Sequence, residues 1–201
     1  MGRTVGLAIV VCLATGSCDP QGRPAVTVQH TLELPVPVTQ GEVSVESAIA
    51  ARRSVREYTT EAPTLTDVAQ LLWAAQGITG PEGRRATPSS GRSYPLTVYV
   101  VCGTLADLPP GLYRYAPAAH ALEQLADGDR RGLLVAASGQ VWLGSAPCIV
   151  VVTAMVERTR QQYGDKAERF VHLEAGAVME NLYLQATARG LGTVMVGGFD
   201  D

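Results

Sequence analysis

Apolar positions along the chain change period several times, and each change marks an element. Between Val5 and Ala14 they run almost unbroken behind Arg3, a stretch too short to span a bilayer, and Thr15-Gly16-Ser17 supplies small residues directly before Cys18. Residues 1–17 therefore read as an export signal. From Asp19 to Gly41 the pattern gives way to prolines, glycines and polar residues, so residues 18–42 read as a tether. Beyond that point no repeat and no second linker interrupts the chain, and residues 43–201 read as one domain.

Within the domain, Ser44 to Ala51 predicts a short helix. Thr66 followed by Asp67, Val68, Leu71, Leu72 and Ala75, with Gly77 beyond, combines a capping residue, helical spacing and a glycine stop, and predicts a second helix. "PLTVYVVC" from Pro95 and "CIVVVTAM" from Cys148 are rich in β-branched residues and predict buried strands, with "GLYRYAP" and "HALEQL" as a hairpin between them. Asp165 to Gly190 predicts a long helix with two apolar stripes, Phe170, Leu173, Ala177, Leu184 and Ala188 beside Val171, Ala175, Val178, Leu182 and Ala186. Such a helix belongs at the centre of the molecule. Its small residues Ala175, Gly176 and Ala177 suit close helix packing, in the core or at a homodimer seam. The fold class is α+β, a mixed sheet packed by helices.

Composition narrows the functions. With 46% apolar and 17% charged residues in 201, the chain can bury a core, and a net charge of −3 leaves no basic face for nucleic acid. Of four cysteines, Cys12 lies in the leader and Cys18 at its end, where lipidation would make a lipid-anchored envelope protein and its absence a freely secreted one. Thr15 stands where lipoprotein signals usually carry Leu. Cys102 and Cys148 sit in or beside apolar strands, as buried hydrophobes or as a disulfide. No CxxC or Cys/His spacing occurs, which argues against a metal site.

Against this acidic background "ARRSVREY" places Arg52, Arg53 and Arg56 within five positions, next to Ser54 and at the end of the first helix. Cations are favoured at a helix C-terminus, so this is either a solvated helix end or a phosphate site built from forked guanidinium donors and a hydroxyl. "TPSSGRSYP" from Thr87 is either a turn or a set of hydroxyls and amides for a ligand. Gly190 and Gly192 are no dinucleotide fingerprint, because the order is helix to strand and position 195 is Met. Gly197-Gly198 at a strand end is either a bulge or bare backbone for a flat aromatic ligand.

Six segments in order, "RRSVREY", "LTDVAQLLWAAQGITG", "TPSSGRSYPLTVYVV", "LPPGLYRYAP", "EAGAVMENLYLQATARGLG" and "VGGFDD", resemble the FMN-dependent nitroreductase superfamily, most closely its SagB-type dehydrogenase branch. The resemblance implies FMN held at its phosphate and ribityl chain by Arg52, Arg53 and Ser54, with Arg56 near the flavin N1 and O2 edge. It implies that Pro88, Ser89, Ser90 and Gly91 reach the flavin of the other protomer in a homodimer. In the segment Val196, Gly197 and Gly198, the glycine N–H groups would face flavin N5 and O4. Arg92 and Tyr94 stand where many superfamily members have Asn and Gln, as in the branch. Azoline-oxidising members pair Lys with Tyr; here the matching dipeptide is Gln162-Tyr163, which leaves Tyr163 as a candidate proton donor or acceptor, or a surface tyrosine. Relatives also continue beyond the "GGFDD" segment with further flavin contacts, so the C-terminal part of the fold is expected to be missing here. The implied activity is hydride or electron transfer to or from a small organic substrate. Alternatives are a non-catalytic relic and a flavin-binding partner subunit, and an exported enzyme would need a reductant other than NADH or NADPH.

Overall fold

The computed structural model describes residues 5–11, 27–103 and 105–199. Its strands are β1 (Gly6–Val11), β2 (His30–Glu33), β3 (Leu96–Cys102), β4 (Gly111–Ala116), β5 (Ala121–Asp127), β6 (Cys148–Ala154) and β7 (Gly192–Val196). Its helices are α1 (Val45–Ala51), α2 (Leu65–Gln76), α3 (Arg131–Ser138), α4 (Val156–Tyr163) and α5 (Ala167–Ala188). The strands form one mixed sheet in the order β2-β5-β4-β3-β6-β1-β7, antiparallel from β2 to β6 and parallel where β1 joins β6 to β7.

The central strands are buried on both faces, which is why they read as continuous apolar runs. Leu96, Val98, Val100 and Cys102 of β3, with Cys148, Val150 and Val152 of β6, pack under α2 and α5. On the opposite face Val101, Ile149, Val151 and Val196 meet Tyr58, Leu143 and Ala146. The alternation of period two thus sends neighbouring residues of one strand into two different cores. The expected hairpin is β4–β5, and in it Arg114 stands opposite Glu123 with an ion pair of 2.6 Å.

Three expectations are corrected. The N-cap of α2 is Thr64 instead of Thr66, because Thr64 and Asp67 form a reciprocal capping box that satisfies two otherwise orphaned N–H groups. The long helix is central to one face only: the stripe through Val171, Ala175, Val178, Leu182 and Ala186 is buried, whereas Leu173 of the other stripe is 64% exposed. The second half of the expected tether is docked. There β2 pairs with β5, Leu34 is buried and donates its N–H to His120 O (3.1 Å), and the Val38 N–H donates to Gln70 Oε1 (2.8 Å).

The apolar run expected to be a leader supplies β1, parallel to both neighbours. An export signal and a buried parallel strand demand the same composition, so these residues satisfy both patterns, and processing before Cys18 would remove the strand. Residues 12–26, with Cys12, the cleavage region and Cys18, lie outside the described residues.

Asp67 ties the two helices of the upper face. Its Oδ2 accepts from the Thr64 N–H (2.9 Å) and hydroxyl (2.7 Å), and its Oδ1 accepts from Arg189 Nη2 (2.6 Å) at the end of α5. Burial pushes the carboxyl pKa upward, but the bonds from Thr64 and Arg189 outweigh it and hold the group below its usual range. A depressed carboxylate stabilises the fold above its unfolded pKa of about 4 and loses that contribution as pH falls through the folded value. Asp67→Asn is expected to cost about 2 kcal/mol at pH 7 and much less near pH 3. Urea denaturation at the two pH values checks this, and an equal loss at both would contradict it.

Candidate functional site

The arginine segment follows α1 and runs along the outer edge of β7. Ser54 bridges Thr193 in parallel, and the Val55 N–H donates to Thr193 O at 2.8 Å, so the loop covers part of an edge that would otherwise present unpaired backbone groups. Tyr183 of α5 completes the cover: its hydroxyl accepts the Met195 N–H at 2.7 Å and meets Ser54 Oγ at 3.4 Å. The far end is fixed by Tyr58, whose buried ring packs with Leu143 and Ile149 while its hydroxyl donates to Val55 O at 3.0 Å.

The three arginines then do different work. Arg53 donates from Nη1 to Ala50 O (3.0 Å) and Arg52 O (2.7 Å), so it caps the C-terminus of α1. The guanidinium of Arg52 lies 5.0 Å from the centre of the Tyr183 ring, and that of Arg56 lies 5.9 Å from Trp142. None of the three is paired with a carboxylate among the described residues. Trp142 packs in the same cluster as Phe199, and Gln140 Nε2 reaches Gly198 O at 3.4 Å, so Arg56 and the glycine pair share one end of the sheet. Gly197 and Gly198 are exposed, neither has a positive φ, and a Cβ on either would meet nothing within 4 Å. Neither backbone conformation nor packing among the described residues requires glycine there, and the bare backbone admits a flat ring.

The serine loop forms a second group. Thr87 is fully buried, donating to Ala75 O (2.7 Å) and accepting from Asn181 Nδ2 (3.0 Å), which pins the loop between the end of α2 and α5. Beyond it Gly91, Arg92 and Tyr94 all have positive φ (57°, 55° and 42°), a conformation rare for the last two residue types. The turn is held by the Tyr94 N–H on Ser89 Oγ (2.9 Å), by Arg92 paired to Glu82 (2.8 Å) and by Arg85 stacked 4.3 Å over Tyr94. Pro88 is exposed and Ser90 half-buried. A side chain at Gly91 would strike Gln162 Oε1 and the Tyr163 hydroxyl, so Tyr163, whose ring packs tilted against Phe170 with centres 4.7 Å apart, belongs to this loop and is no isolated surface tyrosine.

Two residues absent from the sequence reading prove central, Tyr183 in the first group and Glu174 in the second. Glu174 is buried on α5 with Oε1 lacking a hydrogen-bond partner. Its position was legible: three residues after Val171 and four before Val178 falls on the buried stripe. The two groups lie apart, since Glu174 and Tyr183 are nine residues distant on one helix, about 13 Å along its axis.

A profile of the nitroreductase family matches residues 49–201. A protein of Methanocaldococcus jannaschii provisionally named a nitroreductase is 39% identical over 172 residues, 85% of this chain and 86% of that protein. Among solved structures, a nitroreductase-type protein from Ralstonia eutropha superimposes with a TM-score of 0.70 at 34% identity, covering 85% of this chain and 78% of its own. A chain of the E. coli microcin synthetase McbBCD complex, solved with truncated pro-MccB17 bound, gives a TM-score of 0.58 at 25% identity, over 65% of this chain and 52% of that one.

Burial pushes the Glu174 carboxyl up to about 7, against the opposing effects of the Ser89 hydroxyl and the Arg85 guanidinium. An acid whose folded pKa is raised contributes full stability below its unfolded pKa, near 4, and loses it as pH rises through the folded value. Glu174→Gln removes that dependence. Relative to wild type the variant is expected to gain roughly 1 to 3 kcal/mol between pH 5 and pH 8. Denaturant midpoints at the two pH values measure this, and a constant difference would contradict a raised pKa.

Proposed function

The chain belongs to the nitroreductase family, and on that premise we propose that it is an FMN-dependent oxidoreductase of the SagB-type branch that acts on a small organic molecule. The observation that carries the reading is that the loop of Arg52, Ser54 and Arg56 follows one edge of β7, with Ser54 opposite Thr193 near the strand's start, Arg56 held by Trp142 toward its far end, and the bare Gly197-Gly198 backbone continuing the strand beyond that end. A cluster of cations without carboxylate partners among the described residues suits a phosphate, and a strand end where no packing among those residues demands glycine suits a flat ring. FMN contains both, and when bound it would supply reversible two-electron transfer.

In this reading the phosphate falls to Arg52 and Ser54, because Arg53 is committed to the carbonyls of α1 and joins as a second cation only by leaving them. Stacking on Tyr183 orients the Arg52 fork and shortens the search for a bidentate contact. Arg56, held against Trp142, brings positive charge to the same end of the sheet as the glycines, where it would favour an electron-rich ligand. Val196 ends the strand with its side chain buried, and the two glycines that follow are exposed.

The serine loop, Pro88 to Arg92 with Tyr94 and Tyr163, lies at the Glu174 end of α5, about 13 Å along the helix from the Tyr183 that carries Arg52. A second copy would supply that loop, and the exposed Leu173 with the half-buried Ala177 on α5 provides a surface for that pairing. Tyr163 and Glu174 are then the groups able to hold or move a proton near substrate, Glu174 because its carboxyl titrates near neutrality. With Gln162 beside Tyr163 in place of Lys, a small molecule is a better fit than a peptide azoline. A flavin-binding partner subunit of the same fold would share the cofactor site and lack turnover.

Arg52→Ala is expected to weaken FMN binding roughly tenfold to a hundredfold, the worth of one charge-assisted contact, while riboflavin, which has no phosphate, changes less than about twofold. Titration of both ligands by flavin fluorescence checks this. Equal losses for the two would place the effect of Arg52 in fold stability and contradict the phosphate assignment.

A further inference from the structure

Cys102 and Cys148 are the last directly opposed pair of the β3–β6 ladder, and beyond them the Gly103 N–H donates to Pro147 O at 3.0 Å. That bond brackets the pair from outside, so the two cysteines occupy a non-hydrogen-bonded position, where antiparallel Cα atoms approach to about 4.5 Å, inside the range that a disulfide spans. Both side chains point to the α2–α5 face, both are fully buried, and their Sγ atoms are 3.2 Å apart. About 1 Å remains to be closed to reach the S–S bond length, a displacement within reach of side-chain rotation. We propose that Cys102 and Cys148 are an oxidisable pair, a site of reversible cross-strand disulfide formation that joins the two central strands without rearranging the sheet.

The surroundings assign roles to the two sulfurs. The Cys148 thiol donates to Cys102 Sγ, and this bond favours a thiolate on Cys102 against the opposing effect of burial; the nearby Arg131 charge acts in the same direction as the bond. Arg131 is held by Asp129 (2.6 Å) and Ala146 O (2.7 Å), and its guanidinium lies against Gly103, where any Cβ would collide with it. Glycine at 103 therefore makes room for the cation beside the sulfur pair. With the hydrogen bond in that direction Cys102 attacks and Cys148 resolves, and the reverse order closes the same disulfide.

Burial excludes bulky oxidants, so a peroxide is the fitting co-reactant. The Cys102 thiolate attacks one peroxide oxygen, the O–O bond breaks, and the departing hydroxide takes up the thiol proton as water, leaving a sulfenic acid. Cys148 then attacks that sulfur. The S–S bond forms, the S–O bond breaks, and hydroxide leaves with the Cys148 proton as a second water. In sum two thiols lose two electrons and two protons, and the peroxide is reduced to two waters. The proposal is independent of the flavin reading, since neither sulfur belongs to either group of candidate site residues.

The full chain, reduced, freed of reductant and then exposed to hydrogen peroxide, is unfolded in iodoacetamide and digested with trypsin. Peptides 93–114 and 132–158 are expected joined, two hydrogens lighter than their sum, and separable again by reductant. The oxidised protein is expected to melt at least about 5 °C higher than the reduced form, because the bond closes a long loop in the unfolded chain. Cys148→Ala should abolish that shift. Alkylation of both cysteines after peroxide, oxidation of Cys102 to sulfinic acid without a cross-link, or joining to Cys12 or Cys18 instead would overturn the proposal. The peptide map of the wild-type chain decides it even where the variant fails to fold.

Discussion

The hydroxyl of Tyr183 ties α5 to the junction of β7 and the arginine loop, which also meet through the Val55 N–H on Thr193 O. It accepts the Met195 N–H at 2.7 Å at the edge of β7, touches Ser54 at 3.4 Å, and belongs to a ring that carries Arg52 at 5.0 Å. An edge strand with free backbone groups invites pairing with another chain, and here the loop that covers the edge is the one that holds the arginines. Protecting the sheet and assembling the cation cluster are the same event. With Tyr183 fixed on α5, and α5 fixed to α2 by Asp67–Arg189 and by Gln70–Gln185 (3.2 Å), the cluster inherits the rigidity of the helical layer.

Much of this fold was legible because its strands are simple. β3 and β6 are buried on both faces, so their β-branched runs announce themselves, and the β4–β5 hairpin alternates as a half-buried pair should. Elements defined by a few residues were less legible. The four residues of β2 are hidden in Pro- and Gly-rich surroundings, and β1 has the composition of an export signal, so local pattern alone cannot distinguish a sheet role from a targeting role. The capping box at Thr64 depends on a reciprocal bond that one threonine too far along the chain would have broken.

The candidate site was legible in its residue types and obscure in its division of labour. A row of arginines after a helix reads equally as a cap and as an anion site, and the structure divides the row: Arg53 caps the helix while Arg52 and Arg56 lie over aromatic rings. Glu174 and Tyr183 were hidden for a different reason. Polar residues in an apolar helix look like its solvent face, and only the phase of the buried stripe places them inside. Their separation of about 13 Å along α5 leaves the implied site residues in two groups on a single chain, and the proposed second copy would supply the serine-loop group.

The central claim is that the arginine loop along β7 and the glycine pair beyond it form a flavin site, and equilibrium uptake of FMN by the purified full chain tests it most directly. The account predicts saturable binding at about one FMN per chain, in a dimer, with the tightness that a phosphate held by forked charge-assisted bonds confers. Protein that stays colourless and leaves the fluorescence of added FMN unchanged at micromolar concentration would contradict it.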